Sequence, residues 1–304
     1  MDERQQHTEA ALEEAAEVFQ RLRPRLFGVA YRILGSVAEA EDVVQEVWVR
    51  WQGADRGAVL DPGAFLATVA TRLAVNVAQS ARVRREAYVG PWLPEPVDTS
   101  VDPQVGAECG EALELAVLVV LQKLNPVERA AYVLREAFAY SYGEIAGMLE
   151  LSQANARQII SRARKRLSAE RREPVAAAQH RRLVEAFVAA ARHGDVAALE
   201  RVLSADAVAY ADGNGMRGVA RLAVVGAGRV ARISAFTRKF FPGAEYGVVE
   251  ANGRPGLRLT QDGVTVALVG VTAGPDGIDG LYWILAPDKL RAYERSARRP
   301  TGHA

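Results

Sequence analysis

Between Ser152 and Arg172 the sequence carries seven Arg or Lys residues against one Glu, in a chain whose formal net charge is only +1. Positive charge concentrated on one short stretch is the footprint of an element that binds phosphate, because guanidinium forks match phosphate oxygens. The spacing narrows this. Ile145, Ala146 and Leu149 fall inward on a short segment opened by Ser141-Tyr142-Gly143-Glu144. The chain breaks at Glu150-Leu151, and Ala156, Ile160, Ala163 and Leu167 then fall inward on the basic stretch. Two short helices with a tight break, the second one basic, form the helix-turn-helix pattern. Arg157, Gln158, Ser161, Arg162 and Lys165 then lie on or beside the opposite face, where a recognition helix meets base edges in the major groove. Arg forks onto guanine and Gln onto adenine. Glu150 stands where glycine is usual, and a left-handed backbone there costs it about 1 kcal/mol.

A second charged pattern lies nearer the amino end, from Glu39 to Trp48. Val43, Val44, Val47 and Trp48 make an apolar stripe, while Asp42, Gln45 and Glu46 gather on another face at spacings of three and four. An acidic face ahead of a basic DNA-reading element implies a protein partner with positive charge.

The elements that must position these residues follow from periodicity. Residues 1 to about 16 are polar and read as a frayed leader. Phe19, Leu22, Leu26, Ala30 and Ile33 recur at helical intervals until Gly35 ends the run. Ser36 with Glu39 is a capping box for a second helix, and Asp61-Pro62 opens a third through Phe65, Leu66, Val69, Leu73 and Val77 towards Ala81. Three helices make a small bundle. From Tyr88 to Gly110 proline density prevents helix and marks an extended linker. Helical pattern resumes from Glu111 to Leu124, Asn125-Pro126-Val127-Glu128 caps the next helix, and Ser152 caps the basic one, which ends before Pro174. Beyond Pro174 the stretches His180 to His193, Val196 to Leu203 and Val219 to Phe240 read as helix. Tyr246 to Glu250, Gly256 to Thr260, Val264 to Thr272 and Ile278 to Leu285 read as antiparallel strands between Gly-containing turns. Helices first and strands later indicate an α+β domain.

Composition excludes several classes. The chain has 304 residues, 49% hydrophobic and 25% charged, which is ordinary globular composition with length for two or three domains. Its longest apolar stretch, Leu115 to Leu121, is far below the roughly 20 residues a bilayer requires, so no membrane association is expected. A single cysteine, Cys109, forms neither a bridge nor a metal or nucleophile grouping. With no charged-then-apolar leader at the start, a reducing compartment is expected. Val224 to Ala231 fits the dinucleotide fingerprint, but no βαβ pattern surrounds it, so no cofactor and no metal are expected.

Val29-Ala30-Tyr31-Arg32-Ile33-Leu34-Gly35 with Ala40 to Trp48 resembles region 2 of the extracytoplasmic-function sigma factors, and Leu124 to Arg129 through Arg162-Ala163-Arg164 resembles their region 4. Tyr88 to Pro96 is similar to the linker of the subgroup with a fused SnoaL-like domain, the sigma-J type. Asp212 to Arg217 resembles that subgroup's Asp-Gly-Gly-Gly-Lys motif with departures at Asn214 and Met216-Arg217, and Ala286-Pro287-Asp288-Lys289-Leu290 resembles its Asn-Pro-Asp-Lys-Leu motif closely. The resemblance implies all-α region 2 and region 4 domains followed by an α+β SnoaL-like, cystatin-like cone. The expected extents are residues 17–88, a linker at 89–110, 111–173 and 176–298.

The resemblance also divides the labour. It implies that Asp42, Gln45 and Glu46 dock on the β′ coiled coil of RNA polymerase core, with the β flap as a further core contact. It implies that Arg72, Asn76, Arg82, Arg84 and Arg85 hold the separated minus-10 strand of promoter DNA. Arg157, Gln158, Ser161, Arg162 and Lys165 then read the minus-35 duplex. Asp212, Gly213, Arg217, Pro287, Asp288, Lys289 and Leu290 are expected to make regulatory contacts with the DNA-reading parts. A cone of this kind can hold a small ligand, and Asp206, Asp212, His180 and His193 are its available acid–base groups, none with a diagnostic spacing. No catalytic residue is expected. The two rivals are a helix-turn-helix regulator acting without polymerase core, and a regulator fused to a cyclase- or isomerase-like enzyme.

Overall fold

The computed structural model describes residues 3–99, 114–168 and 175–297. It divides into two units, Met1–Val83 with Leu121–Ser168, and Arg84–Val120 with Ala169–Ala304. Cys109, most of the later linker and the chain after the basic helix up to Pro174 lie outside the described residues.

The stretch expected to fray is helical: Glu3–Leu34 form one helix, α1. Ala10, Ala11, Leu12, Glu13, Glu14, Ala15 and Ala16 are strong helix formers. The buried Ala15 anchors the helix by accepting the Trp51 indole N–H at 3.0 Å. Ser36 caps α2 (Val37–Gln52), which buries Ala40, Val43, Val44, Val47 and Trp51. Helix α3 spans Pro62–Glu86 and α4 spans Leu115–Leu121. Complete capping boxes open α5 (Pro126–Glu136) and α6 (Tyr142–Leu149), each satisfying two otherwise orphaned backbone donors. Glu150 ends α6 in the left-handed conformation at φ 56°. Ser152 Oγ accepts the Asn155 N–H to open α7 (Gln153–Ser168), whose Ala156, Ile159, Ile160, Ala163 and Leu167 face inward.

The second unit is α+β, as expected. Helices α8 (Ala177–His193) and α9 (Val196–Val202) precede a six-stranded sheet. Its strands are β1 (Leu203–Asp212), β2 (Val224–Val225), β3 (Glu245–Ala251), β4 (Arg254–Gln261), β5 (Val264–Gly274) and β6 (Gly277–Ile284). The order is β2-β1-β6-β5-β4-β3, with β1 and β6 parallel and every other pair antiparallel. Helix α10 (Ala227–Phe240) follows β2, and α11 (Pro287–Ala297) follows β6. Val219 to Phe240 is therefore not one helix. Val224 and Val225 pair with Ala209 and Val208, and Gly226 turns the chain at φ 100°, as β-branched residues on a sheet edge favour. Because β2 runs antiparallel to β1, the glycines at 226 and 228 lack the parallel βαβ setting of a dinucleotide site.

Strand alternation divides the core between the two sheet faces. Val184, Phe187, Leu199 and Val230 pack with Leu257, Val269, Leu281 and Trp283. On the other face Leu268 and Ile284 pack with Leu93 of the linker, Leu115, Leu290 and Tyr293. Gly270 makes room for Leu115, since a Cβ there would stand 2.6 Å from Leu115 Cδ2. Among the described residues no helix is long and apolar enough to cross a membrane.

Candidate nucleic-acid interface

The capped α6, the left-handed turn and α7 assemble the helix-turn-helix. With Ala156, Ile160, Ala163 and Leu167 buried, Arg157, Gln158, Ser161, Arg162 and Lys165 all stand exposed on the outer side of α7. The Arg157 guanidinium lies 5.3 Å from the Tyr142 ring centroid, which limits its sweep without removing its hydrogen-bonding edge. Two other arginines of this helix serve the fold. Arg164 pairs with Glu136 at 2.6 Å and Arg166 with Glu128 at 3.7 Å.

The expected strand-binding residues all lie on α3. Asn76 and Arg82 are exposed in the first unit, while Arg84 and Arg85 belong to the second. Arg85 stacks over Trp92 at 3.5 Å. Arg72 donates to the Met148 and Gly147 carbonyls at 2.8 and 3.1 Å and pairs with Glu150 at 3.0 Å. A cation on the carbonyl end of α6 is favoured by the helix dipole. Two further arginines act in the same way. Arg129 is 5% exposed and donates to the carbonyls of Leu121, Ile33, Gln122 and Leu124. Arg25 donates to the Phe138 carbonyl and to Tyr140 Oη, at 3.3 Å in both cases. Arg25, Arg72 and Arg129 thereby tie α1 and α3 to the α5–α7 segment. Sequence reading missed this role of Arg25 and Arg129, since their acceptors are mostly backbone carbonyls.

Helix α2 presents Asp42, Gln45 and Glu46 to solvent. Glu46 accepts from Arg50 at 2.8 Å, an exposed pair that restrains it little.

The second unit holds a buried polar node built from both recognised motifs. Lys289 Nζ lies 2.6 Å from Asp212 Oδ2, at 3% and 0% side-chain exposure. The Leu93 N–H donates to the same oxygen at 2.8 Å, Tyr88 Oη donates to Oδ1 at 2.5 Å, and Lys289 also donates to the Leu93 carbonyl. Trp92 lies 4.2 Å from the ammonium. Burial lowers the pKa of Lys289 and Asp212 opposes that shift. Burial and the hydrogen bond to Asp212 raise that of Tyr88, so its phenol stays a donor. Leu290 enters the core, Pro287 and Asp288 are exposed in the first turn of α11, and Gly213 packs against Val219. Arg217 is exposed and does not join the node. Linker residues Tyr88 and Leu93 complete the node.

The four acid–base groups lead to different places. Asp206 accepts from Ser204 and His193 Nδ1 bonds to the Ala189 carbonyl, both on the exterior. Asp212 sits in the buried node. His180, expected on a surface-looking helix, is instead 4% exposed, with Nε2 on the Val271 carbonyl and Nδ1 lacking a hydrogen-bond partner among the described residues. The reason is that α8 lies on the sheet with its His180 edge inward. Burial lowers the His180 pKa, as does Arg254, against the opposing backbone bond and the carboxylates of Glu114 and Asp279. The unfolded chain thus binds a proton below about pH 6.5 that the folded one resists, and stability falls with acidification. Acidifying from pH 7.5 to 5.5 should lower the melting temperature a few degrees more in the native chain than in His180→Gln; equal shifts would remove His180 as the cause. The nearby cavity lined by Glu114, Leu115, Arg254, Gly270 and Tyr282 has about 20 Å³, room for a water.

An exposed basic recognition helix joined to a helical bundle with an acidic face is the arrangement of a promoter-recognition protein. The chain matches the family Sigma-70 region 2 over residues 18–86 and the family Sigma-70, region 4 over residues 114–167. It is 37% identical to the ECF RNA polymerase sigma factor SigJ of Mycobacterium tuberculosis (strain ATCC 25618 / H37Rv), across 93% of this chain and 96% of the relative. The chain belongs to the extracytoplasmic-function sigma factors, and its role is promoter recognition and transcription initiation. The probable ECF RNA polymerase sigma factor SigI of Mycobacterium tuberculosis (strain CDC 1551 / Oshkosh) is 34% identical across 68% of this chain and 71% of its own. The crystal structure of Mycobacterium tuberculosis SigJ superposes with a TM-score of 0.74 at 34% identity, covering 91% of this chain and 98% of that one. That likeness identifies the C-terminal α+β domain as SnoaL-like. Sigma factors are not enzymes; they bind RNA polymerase core and promoter DNA.

Proposed function

We propose that this chain docks on polymerase core through Asp42, Gln45 and Glu46 against the β′ coiled coil, with region 4 on the β flap, and reads a promoter in two places. The observation that carries this reading is the outer row of α7, where Arg157, Gln158, Ser161, Arg162 and Lys165 stand exposed behind a completely capped turn. These residues read the minus-35 duplex by direct contact with base edges. Arg72, Asn76, Arg82, Arg84 and Arg85 hold the separated minus-10 strand. For Arg72 to do so it must leave the carbonyls of Gly147 and Met148, so strand capture competes with the contact that joins α3 to α6.

The segments act as residues 17–88, 89–110, 111–173 and 176–298, in the cytoplasm of a bacterium. The SnoaL-like domain is regulatory and not catalytic, since its acid–base groups do not converge. Its Asp212 and Lys289 hold the first half of the linker, and through it set how freely the DNA-reading parts separate. Leu93, Leu115, Leu290 and Tyr293 occupy the sheet face that a cone would offer a small ligand, so ligand entry requires the linker to leave.

Transcription in vitro with purified core polymerase on a promoter library tests the reading. The full chain should start RNA synthesis at a distinct set of templates. A chain ending at Pro174 should still bind core but start with altered output. Absence of RNA from every template with the full chain overturns the reading, and unchanged output after truncation overturns the regulatory part.

A further inference from the structure

From Gly213 to Ala244 the sequence holds Arg217, Arg221, Arg229, Arg232, Arg238 and Lys239 and not one Asp or Glu. Beyond Arg217 this stretch plays no part in the function proposed above. Helix α10 buries Val230, Ala231 and Ser234, which leaves Arg229, Arg232, Ile233, Phe236 and Lys239 recurring at spacings of three and four on the outer side. Phe236 is 53% exposed. Phe240 lies over Gly218, where a Cβ would stand 2.8 Å from the ring, so the loop carrying Arg217 and Arg221 borders the same surface. Among the described residues, Arg217, Arg221, Arg229, Arg232 and Lys239 make no ion pair, and Arg238 donates to the His193 carbonyl. A carboxylate that approaches this helix is Glu200, against Gly228 in its first turn.

Cations and apolar groups are interleaved in one stripe. A helix that lies on a membrane separates them onto two faces, and a duplex offers phosphates but buries the base faces that an exposed phenyl ring would meet. A single strand offers both, since phosphates track a basic surface while unstacked bases lie on aromatic rings. We propose that the outer face of α10, with the Arg217–Arg221 loop, binds single-stranded DNA, its backbone on Arg229, Arg232 and Lys239 and a base on Phe236. Only the source of such a strand, promoter opening, rests on the initiation reading.

The test uses the full chain and fluorescence anisotropy with an oligothymidylate of about 20 nucleotides, a duplex of equal length and anionic phosphatidylglycerol vesicles. The triple variant Arg229→Ser, Arg232→Ser, Lys239→Ser should bind the strand at least about tenfold more weakly near 50 mM salt. The slope of log affinity against log salt should fall by about 2, at roughly 0.7 per phosphate contact. Phe236→Ser alone should weaken strand binding about tenfold and leave duplex binding within about twofold, while Phe236→Tyr keeps the strand affinity. Unchanged affinity and slope in the triple variant overturn the proposal, as does an equal loss on strand and duplex for Phe236→Ser. Vesicle binding lost with these substitutions while strand binding stays also overturns it. Core-polymerase binding, measured in parallel on each variant, should not move. Its absence in the unsubstituted chain counts against the initiation reading and leaves this one to the oligonucleotide result.

Discussion

Lys289→Ala is expected to destabilise the SnoaL-like unit by about 3–5 kcal/mol, the usual cost of leaving one partner of a buried ion pair behind. Asp212 would keep its bonds from Tyr88 and Leu93 but lose the ion-pair partner it has among the described residues, at 0% exposure. The usual remedy, replacing both charges by apolar groups of similar size, should fail here. In Asp212→Leu with Lys289→Met the pair is gone, yet the Leu93 N–H and carbonyl lose the partners that Asp212 and Lys289 supply. Two orphaned backbone groups cost about 1–3 kcal/mol each unless water reaches them. The double variant should therefore fold with its linker released. Trp92 reports the release, because it lies between Arg85 at 3.5 Å and Lys289 at 4.2 Å. Its emission should shift to the red at denaturant concentrations where the sheet is still folded. A Lys289→Ala chain with the native unfolding midpoint and native Trp92 emission would show that the node does not hold the linker.

What was legible in the sequence was local. The helix-turn-helix could be read because its signals lie within a turn of the residues they govern: Ser141 and Glu144 cap α6, and Glu150 takes the left-handed turn. The amino-terminal half of α1 was misread because polarity was weighed above propensity, although the alanines and glutamates from Glu9 to Ala16 are helix formers. Strand β1 was missed for another reason. Ala207, Ala209 and Ala211 carry weak strand propensity and little apolar area, and the parallel partner that makes them a strand is β6, some seventy residues on. The buried node was half legible. Asp212 and Lys289 were each marked by resemblance, but their joint hold on Tyr88 and Leu93 spans 119 to 196 residues of sequence and leaves no periodic trace. Arg72 shows the same limit: the family resemblance marks it for strand binding, while its acceptors, the end carbonyls of α6, come within reach only in the folded chain.

Reversing Asp42 and Glu46 to Arg should lower core-dependent transcription by at least about a hundredfold while the chain stays folded. Both side chains are exposed, and the helix is anchored by Ala40, Val43, Val44, Val47 and Trp51 on its other side. The folding cost is confined to the surface pair of Glu46 with Arg50 and the repulsion that replaces it, together on the order of 1 kcal/mol. At an interface the arithmetic differs. Losing one partner of a desolvated, hydrogen-bonded charge pair costs about 2–5 kcal/mol, and juxtaposing like charges adds to it. Two such positions exceed the roughly 2.7 kcal/mol that a hundredfold loss requires. Gln45→Ala, which removes hydrogen bonds without reversing a field, should cost much less. Circular dichroism and oligothymidylate binding should remain native in the charge-reversed chain, because neither α7 nor α10 is touched. Intact core binding by that chain would mean that α2 is an ordinary solvated face and that core is gripped elsewhere. Native DNA binding with core binding lost, the result expected here, separates an initiation factor from a regulator that uses the same helix-turn-helix without polymerase.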